Sequence, residues 1–236
     1  MNCFLEFKKI KRTGLLLAFV LGGLLAAAIP ILRLILSDQN LPNVEPMEKL
    51  LTENWQMLAM LNSFLIITGA CLLYSIEYSE HALEKMKTLP IKESSLFFNK
   101  ALLLAFLSTI VLFLEMIAII VATYQWFDFY ENFGIGLMKN FGYLFFMHLP
   151  AVFLALVIAS LFENIWVSLG INVTAVFLAT MIYQKSFELS LFPFALPFQT
   201  LFETDQEMYK IIAAIVEVLV LSFIEVLIIT FRRRTR

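Results

Sequence analysis

The chain predicts an all-α, polytopic membrane protein with six transmembrane helices, and three observations carry that prediction. The first is composition: 61% of the 236 residues are hydrophobic and only 15% charged, with a mean hydropathy of +0.85, where soluble domains are about half apolar. The second is spacing. A helix needs about 20 mostly apolar residues to cross the hydrocarbon, and six such runs occur, at 14–36, 57–76, 101–122, 141–162, 165–183 and 211–231. The third is charge. With six spans, the N-terminal segment, the 77–100 connection and the C-terminus share one side, which then holds 12 of the 17 Lys and Arg. Basic residues collect on the cytoplasmic side, so both termini and that connection are expected there. The opposite side carries Asp38, Glu45, Glu48, Glu53, Asp128, Glu131, Glu188, Glu203, Asp205 and Glu207; the net charge of -2 conceals this asymmetry.

The elements follow in order. Ahead of the first span, "NCFLEFKKIKR" places Cys3, Phe7 and Ile10 at helical spacing among Lys8, Lys9, Lys11 and Arg12. This pattern suits an interfacial helix on anionic lipid, or an ordinary basic flank that orients the first span. The first run is too long for the h-region of a cleavable signal and lacks a clean small-residue cleavage site, so it reads as a retained span. Within it, Gly22/Ala26 and Gly23/Ala27 form small-xxx-small pairs that allow close helix approach, for internal packing or for a dimer seam. Cys3 and Cys71 both fall toward the cytoplasmic side, where thiols stay reduced; no disulfide and no metal is expected on them. In the fourth span Pro150 removes one backbone hydrogen bond, which predicts a kink two residues after His148. Between spans five and six, 184–208 is apolar but broken by Pro193 and Pro197. Crossing the membrane there would put "RRRTR" outside, against the charge rule, so an outer helical hairpin dipping into the outer leaflet is expected. Neither a long internal repeat nor a low-complexity linker divides the chain, and 1–236 is read as one domain.

Several chemistries are excluded by sequence. None of the eight glycines precedes a lysine, so the phosphate-binding loop of nucleotide hydrolases is missing. HExxH, CxxC and GxSxG are also missing, and the connections are too short for a soluble catalytic domain. Between spans two and three, Glu77, Glu80, His81 and Glu84 fall on one helical face at i, i+3, i+4, i+7. That face could ligate a divalent cation or do acid–base work; equally it could be a polar face turned to water or to a partner. Opposite it, Leu83, Met86 and Leu89 form an apolar side that a groove can grip while the charges fix register. Pro90 ends the helix, because the residue before proline disfavours the α region.

Three acids stand inside apolar runs: Glu115 in span three, and Glu217 and Glu225 in span six. Ionisable groups there mark a pathway, or else are protonated or paired with a neighbouring helix. By position, Glu115 and Glu217 lie somewhat to the outer side and Glu225 nearer the cytoplasm.

The stretch "EYSEHALEKMKTLPIKESSLFFNK", with Glu77, Glu80, Leu89-Pro90 and Lys100, resembles the permease subunits of type-2 ABC transporters, and the likeness extends to the span count, the cytoplasmic ends and the proline-broken insertion before the last span. Within that class, the bare six-span core of 27.1 kDa is most similar to lantibiotic and bacteriocin immunity permeases. The resemblance implies a multi-pass protein of the bacterial cytoplasmic membrane, pairing with an identical or related permease. It implies a coupling helix in which Glu77, Glu80, His81, Glu84, Leu89 and Pro90 meet a separate ATPase subunit. ATP and Mg would sit on that ATPase, with no cofactor on this chain. The substrate implied is a cationic amphipathic peptide, for which Glu115, Glu217 and Glu225 are candidate contacts; no nucleic acid is expected. Export of drugs or lipids is the alternative within the class. Outside it stand an intramembrane enzyme using His148 with Glu115 or Asn172, and a membrane scaffold or sensor without transport.

Overall fold

The computed structural model describes residues 13–36, 46–79, 93–127, 131–202 and 206–234. Six of its helices are long and apolar enough to cross a membrane: α1 (Leu15–Leu36), α2 (Pro46–Ser79), α3 (Glu93–Trp126), α4 (Phe133–Leu161), α5 (Ile165–Ile182) and α6 (Glu207–Arg234). No strand occurs among the described residues. The all-α, six-span architecture is as the composition requires. In lipid a spanning backbone must satisfy its own hydrogen bonds, and an uninterrupted helix does so.

Four helices outrun the apolar runs that announce them. α2 begins well before the 57–76 run and takes in Glu48, Lys49 and Glu53, while α3 begins ahead of the 101–122 run. A hydropathy window stops at charge; a helix stops only where its hydrogen-bond ladder does. At 34 residues each, α2 and α3 are about 51 Å long at the usual rise, against about 30 Å of hydrocarbon. α4 runs through Pro150 without interruption, although that proline has no N–H to offer the turn before it. A short link joins α4 to α5, where Asn164 caps the new helix by accepting from the Trp166 N–H at 2.9 Å. Asn132, at the start of α4, takes a left-handed φ of 69°, a conformation asparagine tolerates better than most residues.

α2 and α4 form the enclosed centre; α5 and α6 are the least covered. α1 packs on α2 and α3, α5 on α2 and α4, and α6 chiefly on α4. The small residues of α1 serve this internal packing. A Cβ on Gly22 would stand 2.5 Å from Leu65 of α2, and one on Gly23 3.3 Å from the Val111 backbone of α3. Gly69 of α2 is equally tight, 2.6 Å from Leu104 and 2.9 Å from Phe19.

The connection before α6 differs from a hairpin lying in lipid. It makes one helical turn at Phe187–Ser190 and a 3-10 turn at Leu196–Phe198, and folds back on α2 and α4. Phe194, Ala195 and Leu196 are fully buried. The Trp55 indole N–H donates to the Pro197 carbonyl at 3.0 Å, and the Gln199 amide donates to the Ser190 carbonyl. With its two prolines the segment cannot satisfy its own backbone as a helix would, and the polar groups of α2 and the loop itself supply partners that lipid cannot.

Candidate functional site

Two polar sites occupy different levels of the seam between α2 and α3. The first lies at the end of the bundle where residues 80–92 connect these helices. Glu77, two residues from the end of α2, and Lys100, in the second turn of α3, form an ion pair at 2.8 Å with both side chains 2% exposed. Lys100 Nζ also donates to the Leu73 carbonyl at 3.0 Å and stands 5.3 Å from the centre of the Tyr74 ring. A buried charge persists only when paired and hydrogen-bonded; here the lysine has a carboxylate, a carbonyl and an aromatic face. Beside it, Tyr78 Oη donates to the Ser160 carbonyl of α4 at 2.7 Å, and Ser160 Oγ lies 3.0 Å from Glu225 Oε2 of α6. The helices α2, α3, α4 and α6 are thus tied by polar contacts at this end of the bundle.

Of the residues expected to meet an ATPase, Glu80, His81, Glu84, Leu89 and Pro90 lie outside the described residues, as does the N-terminal interfacial segment. Glu77 is described, and its carboxylate faces Lys100 inside the bundle. This ion pair ties the end of α2 to α3. No group of His, Cys, Asp and Glu able to hold a metal occurs among the described residues.

The second site lies at mid-bundle. Asn62 of α2 donates from Nδ2 to Glu115 Oε2 of α3 at 3.3 Å, and Asn62 shares a cleft with Ser108 of α3 and His148 of α4. All four side chains are buried. His148 Nδ1 lies 2.7 Å from the Leu144 carbonyl, and Ser108 Oγ donates to the Ala105 carbonyl at 2.8 Å. Asn172 is placed elsewhere: it donates to the Ser168 carbonyl, and Ser168 Oγ lies 3.2 Å from Cys71 Sγ. The two polar partners suggested for His148 are thus separated: Glu115 bonds Asn62, which shares the cleft with His148, and Asn172 belongs to another group.

The three acids within spans have different surroundings. Glu115 and Glu225 are enclosed, 2% and 3% exposed. Glu217 is half-buried on the sparsely covered α6, and its Oε2 has no hydrogen-bond partner. Glu115 and Glu217 are not joined by a hydrogen bond. Sequence reasoning missed Asn62 and the Glu77–Lys100 pair. Opposite charges closing the two apolar runs on either side of one connection were a usable signal for the pair; a lone asparagine in an apolar run gives none.

A family model described as ABC-2 family transporter protein matches residues 4–180, from before α1 almost to the end of α5 and across both polar sites except for Glu225. No curated protein and no solved structure matches the chain. The match takes in well over half of the 236 residues, and the six spanning helices agree with it: the chain belongs to the ABC-2 family of transporter proteins, as a multi-pass membrane permease whose family works with an ABC ATPase.

Proposed function

We propose that this permease pairs with an identical or related permease, binds two ATPase subunits through the 77–90 segment, and expels an amphipathic, cationic peptide of the lantibiotic type from the bacterial cytoplasmic membrane. The observation that carries the substrate class is Glu217. An acid inside a span is costly unless it is paired or lines a functional path. Glu217 is half-buried on the helix least covered by the rest of the subunit and its inward Oε2 has no hydrogen-bond partner, so a cationic group arriving through the membrane can approach the exposed side of the residue and find a carboxylate with unspent acceptor capacity. Glu115 and Glu225 would meet substrate only if the helices part. The basic N-terminal, 77–100 and C-terminal segments support a reading with both termini and the coupling segment in the cytoplasm, on the side of the ATPase. ATP and Mg stay on that partner.

The test is protection. Sensitive cells expressing this chain with its ATPase and companion permease are challenged with a cationic lantibiotic and, in parallel, with uncharged drugs. Protection against the peptide that falls on Glu217→Gln at equal membrane abundance supports the reading. Protection against the drugs alone reassigns the substrate, and protection unaffected by Glu217→Gln removes that residue from the path.

A further inference from the structure

Hydrogen-bond accounting at mid-bundle does not close. A carbonyl oxygen only accepts, so His148 Nδ1, 2.7 Å from the Leu144 carbonyl, carries the hydrogen, and Nε2 of the neutral ring is left as an acceptor. The Asn62 amide gives a hydrogen to Glu115 Oε2, which orients its own oxygen as an acceptor. Ser108, the other polar group on the cleft, spends its hydrogen on the Ala105 carbonyl. Three buried atoms then stand without a partner: Asn62 Oδ1, Glu115 Oε1 and His148 Nε2. With Glu115 ionised, all three are acceptors and none has a donor. The remaining wall includes Phe19, Leu65 and Val111, which supply none.

No cation is within reach to balance a carboxylate there. α1 carries no titratable group from Leu15 to Leu32, α2 none from Asn54 to Ala70, and α5 none from Ile165 to Ile182. α4 contributes only His148 between Leu144 and Leu161, α6 only Glu217 between Ile211 and Ile224, and α3 only Glu115 itself between Ala101 and Thr123. An unpaired charge in that setting is strongly disfavoured, and each orphaned acceptor adds its own desolvation penalty.

We propose that Asn62, Glu115 and His148 form an intramembrane proton-binding site. One proton on Glu115 Oε1 turns a buried, partnerless acceptor into a donor, removes the uncompensated charge and leaves the bond from Asn62 in place. The site joins α2, α3 and α4, so any movement that parts these helices and admits water would let the proton leave and charge the path. This inference goes beyond the export reading and does not depend on its substrate.

The experiment is infrared spectroscopy of the full chain reconstituted in lipid at neutral pH, where a protonated carboxyl group has its own carbonyl stretch. That band is expected in the wild type, lost in Glu115→Gln, kept in Glu217→Gln, and moved in frequency by His148→Leu or Asn62→Leu, which change its hydrogen bonding while retaining Glu115. No band in the wild type, or a band removed by Glu217→Gln but not by Glu115→Gln, overturns the proposal. If Glu115→Gln does not insert, the other two variants decide: a band that neither of them moves does not belong to this cluster. A purely structural role for the three residues would change stability without this spectral signature.

Discussion

Glu77 and Glu115 are both glutamates at the α2–α3 seam, both 2% exposed, yet the bundle treats them differently. Glu77 faces a lysine at 2.8 Å, whereas Glu115 faces only an amide, at 3.3 Å. At the end of the bundle a long lysine chain can be supplied from the first turns of α3 and further satisfied by the Leu73 carbonyl. At mid-bundle the neighbouring helices carry no ionisable group through that level except His148 and Glu217, and the acid must be accommodated as a neutral hydrogen-bonding group. One glutamate is a structural tie that needs its charge; the other is a site whose charge state can change. Between them, at Gly69, α2 meets the Leu104 side chain of α3 and the Phe19 ring of α1.

That contrast can be broken at several points. The largest effect is expected from Lys100→Met, which leaves Glu77 buried without its counter-ion and should cost about 3–5 kcal/mol, read as a lowered midpoint in thermal unfolding of the purified protein. Adding Glu77→Leu to that variant should recover most of the loss, since a well-packed apolar pair can replace a buried ion pair; a double variant as unstable as the single one would mean that the two residues do not act as a pair. Next comes Gly69→Ile. Its new atoms meet Leu104 and Phe19, and overpacking of this kind costs about 1–3 kcal/mol, checked on the same unfolding curve.

Glu115→Gln sharpens the comparison from the other side. It removes no partner from a cation, and an interhelical hydrogen bond in a membrane contributes only about 0.6 kcal/mol on average, so its midpoint should stay within about 1 kcal/mol of wild type. A loss as large as that of Lys100→Met would show that Glu115 is a paired charge after all. The smallest effect belongs to the exposed contact between Arg33 and Glu53, at 3.5 Å. Exposed pairs are worth about 0–1 kcal/mol, so Arg33→Ala should barely shift the midpoint, and less still at high salt. A separate assay addresses the connection itself: Glu80→Lys with Glu84→Lys should abolish co-purification of the ATPase while leaving the membrane level of the permease intact, because reversed charges at an interface cost several kcal/mol.

Much of the fold was legible in advance because the membrane imposes it locally. The six runs are each about the length the hydrocarbon demands, and α1 and α5 coincide with theirs to within a residue. The ends of α2 and α3 were not legible, since Glu48, Lys49 and Glu53 look like loop residues to hydropathy yet continue the helix. Gly22, Gly23 and Gly69 could be read as places of close approach, but not which helix approaches. Pro193 and Pro197 forecast a broken segment; that it would settle on α2 and α4 depended on Trp55, 142 residues away from Pro197.

The sequence by itself determined the solvent, the number of spans and the positions of the acids, because burying apolar length and closing backbone hydrogen bonds are demands each segment meets alone. Tertiary structure decided what the acids are. A carboxylate's neighbours come from other helices, and those neighbours set whether it is a tie, as Glu77 is to Lys100, or a lone acid beside Asn62, as Glu115 is. Coulomb and hydrogen-bond energies act over a few ångströms in space, and Glu77 reaches its lysine across 23 positions of chain while Glu115 reaches its asparagine across 53.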